Sequence, residues 1–209
     1  MVRELKFAAC YVYSPHGSSA IAAQSRLART FLKAGDFSFL QKCTGIVGRQ
    51  VVDGCVLSQA FDGNPVLVPV PGSEPWNASA LWVAERLCAA LLRQGLGDAV
   101  WTVLRRTTAV RKSGTAASFD RPTFSNHYAS LAVDGVSFCP HRILLVDDIV
   151  TKGRTLLAAA ARLQQAFPAA QISAFAFFRT MAAIPEIGRL LDPCVGEIRW
   201  IRGDARRQP

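Results

Sequence analysis

A chain of 209 residues, half of them hydrophobic and 19% charged, has the apolar material for one packed domain and too much of it for disorder. A net charge of +9 favours polyanionic partners: phosphorylated metabolites, nucleic acid or an anionic surface. The cysteines (Cys10, Cys43, Cys55, Cys88, Cys139, Cys194) contain no C-x-x-C pair and no apolar run spans a bilayer, which excludes a zinc ribbon and a helical membrane protein. The charged N-terminus lacks the apolar stretch of a signal peptide, so a cytoplasmic protein with reduced thiols is expected.

In chain order, Leu5–Tyr13 is apolar and aromatic and reads as a strand. Ser14-Pro15-His16-Gly17 is a turn, and Ser18 or Ser19 caps a helix that runs to about Ala34 and stops at Gly35. A second helix is expected over Val47–Ala60. From about residue 65 strands and helices alternate: a strand at Val66–Val70, a helix at Ser79–Gln94 and a strand at Ala99–Leu104. Arg105–Asn126 is polar, basic and without helical period, so it reads as a long loop. Leu131–Val133 suits a short hairpin strand, Ile143–Val146 a buried strand, Thr155–Phe167 a helix and Ile172–Phe178 a further strand. This order predicts an α/β fold with a mainly parallel central sheet flanked by helices. Residues 1–62 are expected to form an N-terminal helical or hood region. Residues 63–209 are expected to form the α/β core with a C-terminal extension, the whole making one compact domain.

The segment Arg142-Ile-Leu-Leu-Val-Asp-Asp-Ile-Val-Thr-Lys-Gly-Arg-Thr155 carries the chemistry. Ligands of open α/β sheets sit outside the carboxyl ends of strands, and this strand ends in Asp147 and Asp148. A short turn and a helix N-terminus follow, with free backbone N–H groups and a positive dipole end. Gly153 permits close backbone approach to a phosphate, Thr151 and Thr155 add hydroxyl donors, and Lys152 and Arg154 add charge. A phosphate repels the two carboxylates, so they suit sugar hydroxyls, directly or through a metal-bound water.

This segment resembles the phosphoribosyl diphosphate signature of type I phosphoribosyltransferases: an apolar strand, two acids, two variable residues and a Thr-x-Gly-x-Thr loop. The resemblance implies that fold with a small hood, and Mg2+ held through substrate and water near Asp147 and Asp148 with no direct protein ligand. It places the ribose hydroxyls on the acidic pair and the 5′-phosphate on Thr151, Lys152, Gly153, Arg154 and Thr155. It also assigns Pro71, Gly72 and Ser73, after the strand at Val66–Val70, to a diphosphate loop. From residue 65 to about 180 the order is similar to that of the ComF-like subgroup. There a strand ends in Pro-Val-Pro, Leu104-Arg105-Arg106 follows, and a basic lid (Arg111, Lys112, Ser113, Arg121) precedes the acidic strand. Tyr13 and Lys33 resemble a Tyr…Lys pattern of the subgroup's N-terminal part. The chain lacks the subgroup's four-cysteine zinc module, and Thr-Lys-Gly stands where Thr-Thr-Gly is usual.

The implied activity is transfer of a phosphoribosyl group from phosphoribosyl diphosphate to a nitrogen acceptor such as a nucleobase. Asp147 and Asp148 would orient the ribose, and Lys112 and Arg106 would assist the leaving diphosphate. Arg105, Arg111 and Arg121 would act from the lid. The alternative is a non-catalytic sensor of phosphoribosyl diphosphate or nucleotide, or an accessory protein in DNA uptake or processing that uses the basic surface on nucleic acid. A homodimer is expected. His16, His127 and His141 have no metal spacing and read as surface or loop residues. The tail Arg199–Arg207 reads as a frayed, solvated terminus.

Overall fold

In the computed structural model, residues 2–77, 80–111, 122–135, 139–181, 183–184 and 186–209 are described. Six strands form one sheet in the order β2 (Val66–Pro69), β5 (Arg142–Val150), β6 (Gln171–Thr180), β1 (Glu4–Tyr13), β7 (Leu191–Ile201) and β8 (Asp204–Gln208). The first four are parallel; β7 and β8 return antiparallel along the β1 edge. The mainly parallel α/β class expected from the sequence is therefore observed. The N-terminal strand lies inside the main sheet, between β6 and β7.

Alternation along the strands explains the layers, because successive side chains point to opposite faces. Phe7, Ala9, Val66, Val68, Ile143, Leu145, Ala174 and Ala176 bury one face against α6 (Arg154–Ala166), whose Leu156, Leu157 and Leu163 are buried with them. Ala8, Cys10, Leu67, Leu144, Val146, Phe175 and Phe177 bury the other face. There they meet α2 (Phe37–Val52) and α4 (Val83–Arg93), with Leu32 of α1 (Ala20–Ala34). The parallel strands are apolar on both faces because helices cover both.

Local signals set most helix ends. Ser19 accepts the Ala22 N–H and starts α1, and Gly35, left-handed at φ 62°, ends it. Asp36 then accepts the Phe39 N–H at 2.7 Å and starts α2 at once. The helix expected at Val47–Ala60 is thus displaced to Phe37–Val52, and left-handed Gly54 separates it from a single turn, α3 (Ser58–Phe61). Gly45 and Gly48 face Gln94 at the end of α4, where the lack of a side chain suits close helix packing.

The stretch expected as a strand at Ala99–Leu104 contributes one bridge, Val100 to Leu67. The strand proper, β3 (Leu104–Arg106), pairs with β4 (Leu131–Val133) in a separate two-stranded ribbon. The segment read as a loop over Arg105–Asn126 therefore begins in β3 and ends in α5 (Phe124–Ala129), which Thr123 caps. The tail read as frayed is instead the β7–β8 hairpin. Ile198 of that hairpin is fully buried and packs on Gly153 at the start of α6.

Gly153 has φ 82°, and a Cβ placed on it would lie 2.6–2.8 Å from Ile198 side-chain atoms. Gly153→Ala should therefore cost about 2–3 kcal/mol, from left-handed strain plus overpacking. A urea midpoint measurement checks this; Ile198→Val removes Cδ1 and keeps the other two crowding carbons, so Gly153→Ala with Ile198→Val should recover at most a small part of the overpacking.

Candidate functional site at the carboxyl ends of β2 and β5

Asp147 and Asp148 end the buried run Ile143–Val146 of β5. Asp147 is half-buried, and its Oδ1 accepts the Asp148 N–H at 2.9 Å. Its desolvation and the neighbouring Asp148 charge push its pKa up, while Lys33 pulls the other way. Lys33, in the last turn of α1, forms an ion pair with Asp148. The sequence offered only a loose pattern for Lys33. Its contact with an acid 115 residues away in the chain comes from the packing of α1 beside the sheet.

The residues assigned to a diphosphate loop stand next to this pair. Pro69 is the register partner of Val146, and the Val70 N–H donates to the Val146 carbonyl at 2.9 Å, so Pro71-Gly72-Ser73 leaves the sheet beside Asp147. Arg106, only 3% exposed, holds the turn from behind. Its Nε donates to the Gly72 carbonyl at 2.7 Å, its Nη2 to the Pro71 carbonyl at 3.4 Å and its Nη1 to Ser130 Oγ at 2.5 Å. Burial lowers its pKa to about 10, and the Asp147 charge opposes that shift. The guanidinium remains a cation at neutral pH. Three of its donors are spent on the protein, so Arg106 shapes the turn and adds positive potential near Asp147. Ser73 is fixed further by the Val110 N–H, 2.7 Å from its carbonyl.

The turn after β5 is arranged differently from the simple sequence picture. Thr151 and Lys152 are exposed, and Thr151 Oγ1 lies 3.0 Å from Thr180 Oγ1 at the end of β6. Arg154 grips Asp204 of β8 with two bonds, 2.5 and 2.7 Å, and donates to the Pro122 carbonyl at 3.1 Å. Lys152 lies 3.5 Å from the same Asp204. Both cations expected on a phosphate are thus shared with one carboxylate, and the Asp204 pKa is lowered by them. Asp204 was missed because it lies in the C-terminal segment, remote in sequence.

His127 was also missed. It is 4% exposed, beneath the turn, with Nε2 3.4 Å from Thr155 Oγ1 and no hydrogen-bond partner at Nδ1. Burial, Arg106 and Arg154 lower its pKa to about 4. A buried bare N–H is costlier than a bare lone pair, so the tautomer with hydrogen on Nε2 fits. That imidazole donates to Thr155 Oγ1, so the Thr155 hydroxyl hydrogen points elsewhere. The sequence signal, a lone histidine in Ser-Asn-His-Tyr, carries none of this.

Arg105 pairs with Asp134 at 2.6 Å across the β3–β4 ribbon, both half-exposed. Arg111 is exposed at the start of the basic segment. Lys112, Ser113 and Arg121 lie outside the described residues. Arg207, read as tail, reaches inward instead: its Nη2 donates to the Thr180 carbonyl at 2.8 Å, and its Nη1 is buried without a hydrogen-bond partner. Among the described residues no group of three or more His, Cys, Asp or Glu could hold a metal ion. Two adjacent carboxylates suit a magnesium ion that keeps its waters or takes oxygens from a ligand, as that ion prefers. Among the described residues no helix is long and apolar enough to cross a membrane.

Fold and site together define an α/β protein with a carboxylate pair and two turns at the carboxyl ends of adjacent parallel strands. No protein-family model and no curated protein matches the chain. Among solved structures it is similar to a hypoxanthine phosphoribosyltransferase from Staphylococcus aureus, at 12% identity and TM-score 0.36, over 68% of this chain and 73% of that one. It is also similar to a hypoxanthine phosphoribosyl transferase from Trypanosoma cruzi, at 16% identity and TM-score 0.37, over 68% and 74%. Likenesses this distant leave the reading of the site to its own geometry.

Two predictions follow from the charges. Asp147→Asn keeps the oxygen that accepts the Asp148 N–H and removes the hard-to-ionise carboxyl. The folded carboxyl has the raised pKa, so its cost is absent below the unfolded carboxylate pKa and grows as pH rises above it. At pH 7 the variant should therefore be more stable without ligand, by roughly 1–2 kcal/mol in urea, and the gain should vanish at acid pH. His127 has the opposite sign. Its folded pKa lies below the ordinary 6.5, so stability is lost as pH falls from 6.5 towards about 4. The His127 ring signals should show no titration between pH 5 and 8 by NMR.

Proposed function

We propose that this protein binds phosphoribosyl diphosphate, with Mg2+, at the carboxyl ends of β2 and β5 and transfers the phosphoribosyl group to a nitrogen acceptor such as a nucleobase. The observation that carries this reading is the placement of Pro71–Ser73 directly beside Asp147, while Thr151–Thr155 follows the same carboxylate pair. A ligand with a phosphate at one end of a ribose and a diphosphate at the other needs two anion-accepting turns with hydroxyl acceptors between them. The three parts occur in that order around one strand end.

In this reading Asp147 and Asp148 accept hydrogen bonds from the ribose hydroxyls and hold the sugar still. Backbone N–H groups at the start of α6, with the Thr151 and Thr155 hydroxyls, take the 5′-phosphate. His127 keeps the Thr155 hydroxyl turned to donate. The Pro71–Ser73 turn, braced by Arg106, takes the diphosphate, and the field of Arg106 favours negative charge growing there. Bound through the ligand's own oxygens and water, Mg2+ supplies charge neutralisation at the diphosphate. The bond from the ribose anomeric carbon to the diphosphate oxygen breaks with its electron pair on the oxygen. A bond from the acceptor nitrogen to that carbon forms, and the nitrogen's proton passes to solvent. Lys112 and Arg121 are proposed to add cations to the leaving group.

Calorimetric titration with phosphoribosyl diphosphate and Mg2+ tests this. The native chain should bind, and Asp147→Asn/Asp148→Asn should weaken binding at least about a hundredfold, since two hydrogen-bond acceptors facing buried hydroxyls are changed. Binding with no turnover across a panel of nucleobases would favour a sensor of the same ligand. No binding by folded native protein at millimolar ligand would overturn the reading.

A further inference from the structure

The acidic pair is already neutralised in part by the protein itself. Lys33 lies on the Asp148 carboxylate, and its charge is felt at Asp147. Its own side chain is 43% exposed while that of Asp148 is 13% exposed, so the ammonium sits as a cover over the pair from the solvent side. It stands at the end of α1, two residues before the left-handed Gly35, on a flexible stem that can swing away without disturbing the helix. Its neighbours on α1 do not compete for the same carboxylate: Arg26 donates to the Ser14 and Gly17 carbonyls, and Arg29 lies over the Tyr13 ring. Arg86 of α4 donates to the Gly35 carbonyl.

Two adjacent carboxylates would ordinarily attract a divalent cation from solution, through water. A resident ammonium in contact with one of them removes one unit of the attracting charge and fills the space a hydrated ion needs. A ligand that brings its own metal, with four or so phosphate charges to share, changes the balance, because the ammonium then has anionic oxygens to move to.

We propose that Lys33 is a resident counter-cation of the ligand site, which keeps free divalent metal off Asp147 and Asp148 and yields to metal arriving with the phosphorylated ligand. The inference rests on the phosphoribosyl reading for its second half only. Its first half concerns the free protein.

Titration of the full chain with Mn2+ alone, read by electron paramagnetic resonance of the free ion, tests the first half. Native protein should take up little Mn2+. Lys33→Gln should bind it at least about tenfold more tightly, one unit charge having been removed at contact distance. Lys33→Arg should restore exclusion, and Lys33→Gln/Asp148→Asn should abolish the uptake. Circular dichroism confirms that each variant is folded. Equal Mn2+ affinity in native protein and Lys33→Gln, whether strong or absent in both, would overturn the proposal. Repeating the titration with phosphoribosyl diphosphate present separates the two readings. Lys33-dependent exclusion that the ligand fails to relieve would sink the ligand assignment and the yielding step, and leave the exclusion standing.

Discussion

Two adjacent carboxylates at the end of a strand buried on both faces are the constraint around which this molecule is arranged. Asp147 and Asp148 leave a run of four apolar residues and emerge where solvent is only partly present. Ionising both there is unfavourable, because burial and the neighbouring Asp148 charge push the Asp147 pKa up. Each neighbouring feature offsets part of that cost. The Asp148 N–H donates to Asp147, Lys33 pairs with Asp148, and Arg106 contributes positive potential from a site too buried for it to serve as a surface cation. A strand end built for stability alone would carry no such pair. Its presence beside two turns supports the proposed ligand site.

The cations show the same economy. Lys152 and Arg154 stand at the most obvious anion-binding point of the fold, yet Asp204 holds both. Left to themselves, these cations and the helix N-terminus would make a permanently attractive site for any anion. In the proposed site, with Asp204 in place, discrimination falls to directed donors: backbone N–H groups, and threonine hydroxyls whose orientation is set by neighbours. His127 belongs to this scheme, since a neutral, buried imidazole fixes a hydroxyl without adding charge.

The sheet, and the strand end on which the proposed site stands, were legible in the sequence because their signals are local. Four apolar residues followed by Asp-Asp and a Thr/Gly turn define a strand end within a single window, and Ser19 and Gly35 mark helix ends by their own side-chain chemistry. What escaped was non-local. Val47–Ala60 was misplaced because what accommodates Gly45 and Gly48 inside a helix is Gln94, which lies at the end of another one. The basic tail looked frayed because nothing in Arg199–Arg207 announces that Asp204 will meet Arg154, or that Ile198 will seal Gly153. His127 looked like a surface residue because its burial depends on α5 folding down beside Thr155.

That distribution has a physical reason. The turn after β5 can be recognised locally, but it cannot be held locally. Gly153 needs its left-handed conformation, which a lone glycine visits freely and does not keep. The buried Ile198 packs against it, and Asp204 fixes the two cations on either side of it. The β7–β8 hairpin is therefore part of the site although it carries none of its recognisable letters. The same holds for α1 through Lys33 and for α5 through His127. A ligand turn preorganised in this way depends on three segments far apart in the chain, so its geometry should fail together with global unfolding rather than loosen by itself.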